Sequence, residues 1–230
     1  MKTLRLDLYQ ETACYKKPMA FKVGETYPLP PYSTVKGMLH ALVDADQFIP
    51  MRLSVQGSYE TLITDYQTHY FFKKLDANEF PIILDGLVKP YEWDEKIMTK
   101  MPLYVHLLYG VKLVIHVQSE RDVIKNMVRA IETGKAIGLG RWEDLVRVDA
   151  YETVELEERE EGRNRFPAYV PVEYLDEADN YVPYRLNWKY SIVHGTRKWE
   201  KIEVGYIQQG IDFEDGCLCD EHGDIVFFHQ

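Results

Sequence analysis

Three stretches of this 230-residue chain carry side chains whose types and spacing could do chemistry. The first is Thr26-Tyr27-Pro28-Leu29-Pro30-Pro31-Tyr32-Ser33-Thr34-Val35-Lys36-Gly37. Its prolines hold the approach extended. Ser33 or Thr34 can then cap a helix, because a hydroxyl accepts from the unpaired N–H groups of the first turn. Such a helix start attracts anions through its free donors and its dipole. Lys36 adds charge, and Gly37 permits close approach to the backbone. The same pattern also suits a proline-stiffened helix start that binds nothing. The second stretch is Gly134-Lys135-Ala136-Ile137-Gly138-Leu139-Gly140-Arg141-Trp142. A dinucleotide fingerprint needs a strand before its glycines and a helix after them, and here the order is reversed. Ala136 stands where a Walker loop needs Ser or Thr. What remains is a glycine loop in which Gly138 and Gly140 let backbone N–H groups reach a phosphate. Arg141 can fork onto that phosphate and Trp142 can stack on a base. A plain helix-to-strand turn is the alternative. The third stretch is Lys16, Lys17 and Lys22, interleaved with Tyr15 and Phe21 in a proline-flanked loop, a mixture that suits single-stranded nucleic acid.

Other candidates are poorer. Cys217, Cys219, His222 and His229 could ligate zinc, but one tight Cys-x-Cys with acidic neighbours is far from the paired Cys-x2-4-Cys of structural sites. No metal and no other cofactor is expected. His40 and His116, with Lys112 on the same strand as His116, could serve a ribonuclease. That reaction needs a base, an acid and a phosphate stabiliser around one 2′-OH, and the sequence forces no such geometry. No catalytic residue is expected.

The elements that must position these residues are readable from periodicity. Leu4, Leu6 and Leu8 alternate with Arg5, Asp7 and Tyr9, a strand with one buried face. Val35, Met38, Leu39, Leu42 and Val43 follow helical spacing. Met51, Leu53 and Val55 alternate as a second strand. The order then repeats: a strand at Val111–Val117, a helix at Val123–Ile131 ended by Gly134, and a last strand running from Val146 to Leu156. Two β-α-β halves predict an α+β, ferredoxin-like (RRM-like) split βαβ domain over 1–158. Two helices on one face should leave the other sheet face free for a ligand. An aromatic-rich insertion at about 59–102 reads as a projecting hairpin or small subdomain. The charged run Glu157–Arg165 is the boundary candidate, followed by a small β-rich region over 166–230.

The net charge of −10 is concentrated in residues 150–230, whereas 1–40 are locally basic. This argues against loose nucleic-acid binding but allows a short basic groove, since charges act over roughly 8–10 Å at physiological salt. Three cysteines imply no disulfide framework, and with no signal segment or bilayer-spanning run the expected location is the cytoplasm.

The residues above also carry a resemblance. Thr26–Leu42 resembles the N-terminal signature of the CRISPR-associated Cas five family, RAMP-superfamily subunits of type I Cascade complexes. The stretches at Ile137–Val146, Tyr184–Ile192 and Arg197–Ile207 are similar too, and the last two resemble the type I-B branch most. The resemblance implies a subunit that binds the 5′ handle of the CRISPR RNA and caps a surveillance complex. It implies contact with the backbone RAMP subunit and the large subunit, and with target DNA only indirectly. It implies that Tyr27, Ser33, Thr34, Lys36, Gly37, Gly138, Gly140 and Arg141 form the handle surface, and that the 59–102 insertion is a thumb. In one branch, type I-C, the subunit itself cuts RNA with Tyr, Lys and His residues. This sequence lacks that branch's adjacent Lys-His pair, since Ile115 precedes His116, and a non-catalytic role follows.

Overall fold

The computed structural model describes residues 2–20, 23–72, 98–175 and 180–229. In chain order the strands are β1 (Lys2–Ala13), β2 (Val23–Gly24), β3 (Arg52–Ser58), β4 (Thr61–Phe72), β5 (Met98–Ser119), β6 (Arg147–Val154), β7 (Leu156–Arg159), β8 (Gly162–Arg163), β9 (Ala168–Pro171), β10 (Val182–Val193), β11 (Thr196–Ile207), β12 (Asp212–Phe213) and β13 (Cys217–Asp220). The helices are α1 (Tyr32–Leu42) and α2 (Arg121–Glu132), with one 3-10 turn at Val172–Tyr174. The fold is α+β with a mostly antiparallel sheet, as the alternating and helical patterns predicted.

The main sheet runs β10-β11-β9-β3-β5-β1-β6, with β2 and β4 also paired to β5. Leu4, Leu6 and Leu8 of β1 are buried on one face with Leu53, Val55, Leu113, Ile115 and Val117 of its neighbours. Val35, Met38 and Leu39 of α1 and Ile124 and Met127 of α2 close over that face in a single apolar core. The helical spacing is therefore satisfied by one sheet, and burying each such side chain contributes roughly 1.5–3 kcal/mol. Helix α2 ends at Glu132, and Gly134 follows with φ +72°, the left-handed conformation that favours glycine.

Two sequence expectations need correction. The last strand does not run through to Leu156. It stops at Val154, and Leu156–Arg159 turns away to pair with Cys217–Asp220. Nor is the second sheet face free. The segment 217–229 lies across part of it, because the polar side chains there find partners in that segment. Ser54 Oγ accepts from the Phe227 N–H at 3.0 Å, and Gln56 Nε2 donates to the Ile225 carbonyl at 3.1 Å. Arg5 donates to Asp220 and, at 2.6 Å, to Asp224. His116 Nε2 donates to Asp220 at 2.9 Å. No local pattern near Arg5 announces partners 215 residues away.

Two long hairpins extend from this frame. Strand β4 pairs with β5 from Thr61↔Tyr109 to Phe72↔Met98. Strand β10 pairs with β11 around a two-residue turn at His194 and Gly195, whose φ angles of +50° and +73° suit the right-handed twist of a hairpin.

Candidate nucleic-acid interface

The proline-rich approach does stiffen the start of α1, but the cap differs from expectation. Pro31 (φ −59°, ψ 149°) occupies the N-cap and no side chain caps the helix. Pro31 contributes its carbonyl to the Thr34 and Val35 N–H groups at 2.8 and 3.1 Å. Tyr32 then becomes the first helical residue, fully buried, with its hydroxyl donating to the Tyr169 carbonyl at 3.3 Å. Ser33 and Thr34 therefore sit inside the first turn, half-buried, with their hydroxyls free of the capping role. Gly37 is exposed, and nothing lies within 4 Å of where a Cβ would stand.

Lys36 departs most from a surface lysine. It is 5% exposed, and its Nζ lies over the Trp188 ring, 2.9 Å from the centroid, and 5.4 Å from that of Phe48. Its Nζ has no hydrogen-bond partner among the described residues. Burial, reinforced by the charge of Lys189 and opposed by Glu200, lowers its pKa to about 7. The cleft around it has a volume of about 370 Å³ and is bounded by α1, the 45–48 loop and residues Trp188, Lys189, Tyr190 and Trp199 of the β10–β11 hairpin. His40 lines the same cleft and is held from both sides. Its Nδ1 bonds the Lys36 carbonyl at 2.7 Å, and its Nε2 accepts from the Ile49 N–H at 2.9 Å.

The glycine loop is organised by a residue the sequence reading missed, Asp144. Its buried carboxylate accepts from the Cys14 N–H at 3.0 Å and the Arg141 N–H at 2.8 Å. Arg141 folds back onto the same carboxylate, Nη2 to Oδ1 at 2.7 Å, and reaches Glu143 at 2.9 Å. The guanidinium expected to fork onto phosphate is thus already forked onto Asp144. Gly140 (φ +118°) is required here, since a Cβ would stand 2.7 Å from Asp144 Oδ2 and 3.1 Å from the Cys14 carbonyl. Gly138 remains exposed and bridges Leu145. The fold turns Trp142 fully outward, 92% exposed. The sequence signal for Asp144 was its place three residues beyond Arg141, within reach of an ion pair across a tight turn.

The structure joins the lysine loop to this glycine loop. Cys14 N–H bonds Asp144, Lys16 bridges Thr26, and the Tyr27 N–H donates to the Tyr15 carbonyl at 2.9 Å. Gln10 ties the two together, donating to the Leu139 and Asp144 carbonyls and accepting from the Tyr15 hydroxyl at 2.6 Å. Lys16 is exposed beside these loops, whereas Lys17 pairs with Glu25 at 3.4 Å. Lys22 lies outside the described residues. Tyr27 is buried and packs edge-on against Tyr184, 5.5 Å between centroids. The candidates thus fall into two clusters, one at the joined loops and one around α1 and the β10–β11 hairpin.

The insertion forms an exposed hairpin stem over Thr61–Phe72 and its partner residues in β5. Tyr66 and Tyr104 stand opposite each other with centroids 5.3 Å apart and, with Tyr70, face solvent. Residues 73–97, where the rest of the expected thumb falls, lie outside the described residues. Of the poorer candidates, His222 pairs with Glu152, and Cys217 and Cys219 lie 3.6 Å apart at their sulfurs. His116 is sealed under the 217–229 segment against Asp220.

The joined loops present Lys16 and Trp142 from a mostly antiparallel α+β frame. The sequence matches the family described as CRISPR-associated protein (Cas_Cas5) over residues 3–202, and the chain belongs to that family. No curated protein matches it. Among solved structures it is similar to a chain of a "CRISPR RNA-guided surveillance complex", 13% identical, covering 92% of this chain and 91% of that one, with a TM-score of 0.53. At that identity the likeness shows the fold. A CRISPR protein from Archaeoglobus fulgidus is also similar, at 13% identity over 100% of both chains with a TM-score of 0.48. No helix among the described residues is long and apolar enough to cross a membrane.

Proposed function

We propose that this chain is a non-catalytic, cytoplasmic subunit of a type I RNA-guided surveillance complex that grips the 5′ handle of the CRISPR RNA and caps one end of the assembly. The observation that carries this reading is Trp142, held almost fully exposed on a loop that Asp144 fixes beside the exposed Lys16. Folding gains nothing by presenting an indole to water, whereas a base stacking on it is worth roughly 1–3 kcal/mol. The strand order β3-β5-β1-β6, with both helices on one face, supports a ferredoxin-like core, the arrangement of RNA-recognition modules, although here segment 217–229 covers part of the sheet face on which those modules stack bases. The aromatic stem of β4 and β5 would serve as the thumb, touching the guide or the backbone subunit. The large subunit would contact the same end and bring target DNA near only indirectly. The similarity of the β10–β11 sequence to the type I-B branch supports a system in which a separate subunit cuts the RNA.

The non-catalytic part of the reading is supported by the histidines. Both nitrogens of His40 are engaged, and His116 is buried away from any phosphate. Purified chain mixed with labelled repeat RNA should leave it intact. Specific cleavage that is lost in His40→Ala or His116→Ala protein would replace this reading with a processing endoribonuclease. Co-expression with the other subunits should yield a complex that contains this chain and guide RNA in equal amounts.

A further inference from the structure

The cleft around Lys36 is the least expected feature of the fold. A buried ammonium with no hydrogen-bond partner is costly, because a desolvated charge needs compensation. The compensation present is aromatic: Trp188 beneath the ammonium and Phe48 beyond it. The cleft continues outward along Tyr190 and Trp199, whose rings are 5.1 Å apart and nearly perpendicular. The Arg197 guanidinium stacks on Tyr190 at 4.7 Å. Ser33 stands at the mouth, in the first turn of α1 with its hydroxyl uncommitted to a cap. A volume of about 370 Å³ lies at the small end of the roughly 300–1,000 Å³ range of ligand clefts. It has room for one planar ring and its sugar, not for a peptide helix.

We propose that this cleft is a nucleobase pocket that takes a single unstacked base of an RNA strand, with the ring against Tyr190 and Trp199 and a carbonyl edge presented to Lys36. The inference rests on the RNA-binding reading above and deepens it by adding a site built from the C-terminal hairpin. Three features favour a base over other ligands. Aromatic walls stack on any base. The inward donor at Lys36 suits the carbonyl acceptors of guanine or uracil, as lysine suits guanine O6 and N7 in duplex recognition. Beside the cleft, Arg197, stacked on Tyr190, places positive charge where an adjoining phosphate would run, on a chain that is acidic overall, while Lys189 is paired with Glu200 at 3.1 Å.

The test uses nucleoside 5′-monophosphates as probes and tryptophan fluorescence as the signal, in Trp142→Ala protein so that the exposed indole adds nothing. GMP and UMP are expected to quench saturably, and AMP at least about tenfold more weakly. Lys36→Met and Tyr190→Ala are each expected to weaken GMP binding at least about tenfold. Tyr190 is half-exposed, so its variant tests the aromatic wall without opening the core. No saturable quenching by GMP, UMP or AMP, or quenching indifferent to Tyr190→Ala, would overturn the pocket. Guide-RNA content of the wild-type complex separates the two failures. A complex that carries RNA while the cleft takes no nucleotide removes this inference alone, and a complex without RNA removes the reading on which it rests.

Discussion

Trp142 and Lys36 are opposite departures from ordinary packing, a large ring left in water and a cation taken out of it. For Trp142 the expectation is direct. Trp142→Ala should leave the melting temperature unchanged and weaken guide RNA retention by roughly 1–3 kcal/mol, the worth of one stacked base, measured by competition with free handle RNA. For Lys36 the sign follows from its lowered pKa. The unfolded chain holds this proton up to its ordinary pKa near 10.4, whereas the folded chain releases it at about 7. Between those values the unfolded state binds more protons, so this residue makes stability rise with pH from about 7 toward 10, and its cost is fully present below 7. Lys36→Met should flatten that rise and stabilise the protein at neutral pH by on the order of 1–3 kcal/mol. Denaturant titrations at pH 6, 8 and 10 measure both. Neither property was legible from sequence. Lys36 sits one place beyond Val35, at the edge of the apolar stripe, and it is covered by Trp188, arriving from a distant hairpin, and by Phe48. Asp144 was overlooked for a related reason, since beside the neighbouring Arg141 it holds the Cys14 N–H, 130 residues away in the chain.

The elements were more readable than the side chains. Strand β1 and helices α1 and α2 follow from spacing because each buries one continuous stripe against one sheet. The start of α1 was legible in its prolines but not in its cap. Pro31 pre-sets its own φ and takes the N-cap, which moves Ser33 and Thr34 one turn position inward. Hairpin β10–β11 was visible only as two short β-like runs. Its strands reach further because the His194-Gly195 turn pairs two twelve-residue strands, with one register shift between Asn187 and Lys189. At this scale the β4–β5 stem makes a clear prediction. Its outward Tyr66 and Tyr104 add little to the core, so the double change Tyr66→Ser and Tyr104→Ser should cost no more than about 1 kcal/mol of stability, the worth of one cross-strand pair. The same change should reduce assembly with the backbone subunit in a pull-down. Assembly that proceeds unchanged would remove this stem from the interface.

For the whole molecule, the chain closes on itself through charge. Arg5 on the first strand, His116 on the fifth, and Asp220 and Asp224 in the last residues form one buried network, with Arg165 reaching Asp224 at 2.6 Å. Burial alone would raise the Asp220 carboxyl, but hydrogen bonds from His116, from the backbone and from Arg5 hold it well below the usual carboxylate range. A depressed pKa means stability that is present above about pH 4 and lost as pH falls below it. Asp220→Asn should cost on the order of 3–5 kcal/mol at neutral pH, because it leaves Arg5 and His116 short of a partner. It should also remove that part of the acid dependence, as thermal melts across pH 2–7 would record. The acidity of residues 150–230 is therefore partly structural: two of those carboxylates latch the C-terminal segment over a sheet face the sequence suggested was open. Among the described residues, the surface that the proposed function leaves for RNA is narrow, the joined loops and the cleft beside α1. The most direct measurement of the central claim is ultraviolet crosslinking of the purified complex with its own guide RNA, followed by mass spectrometry of the adducts. Nucleotides of the 5′ handle attached to peptides containing Trp142 are the predicted result. Adducts confined to spacer nucleotides, or a complete absence of RNA adducts on this chain in a complex that holds RNA, would contradict it.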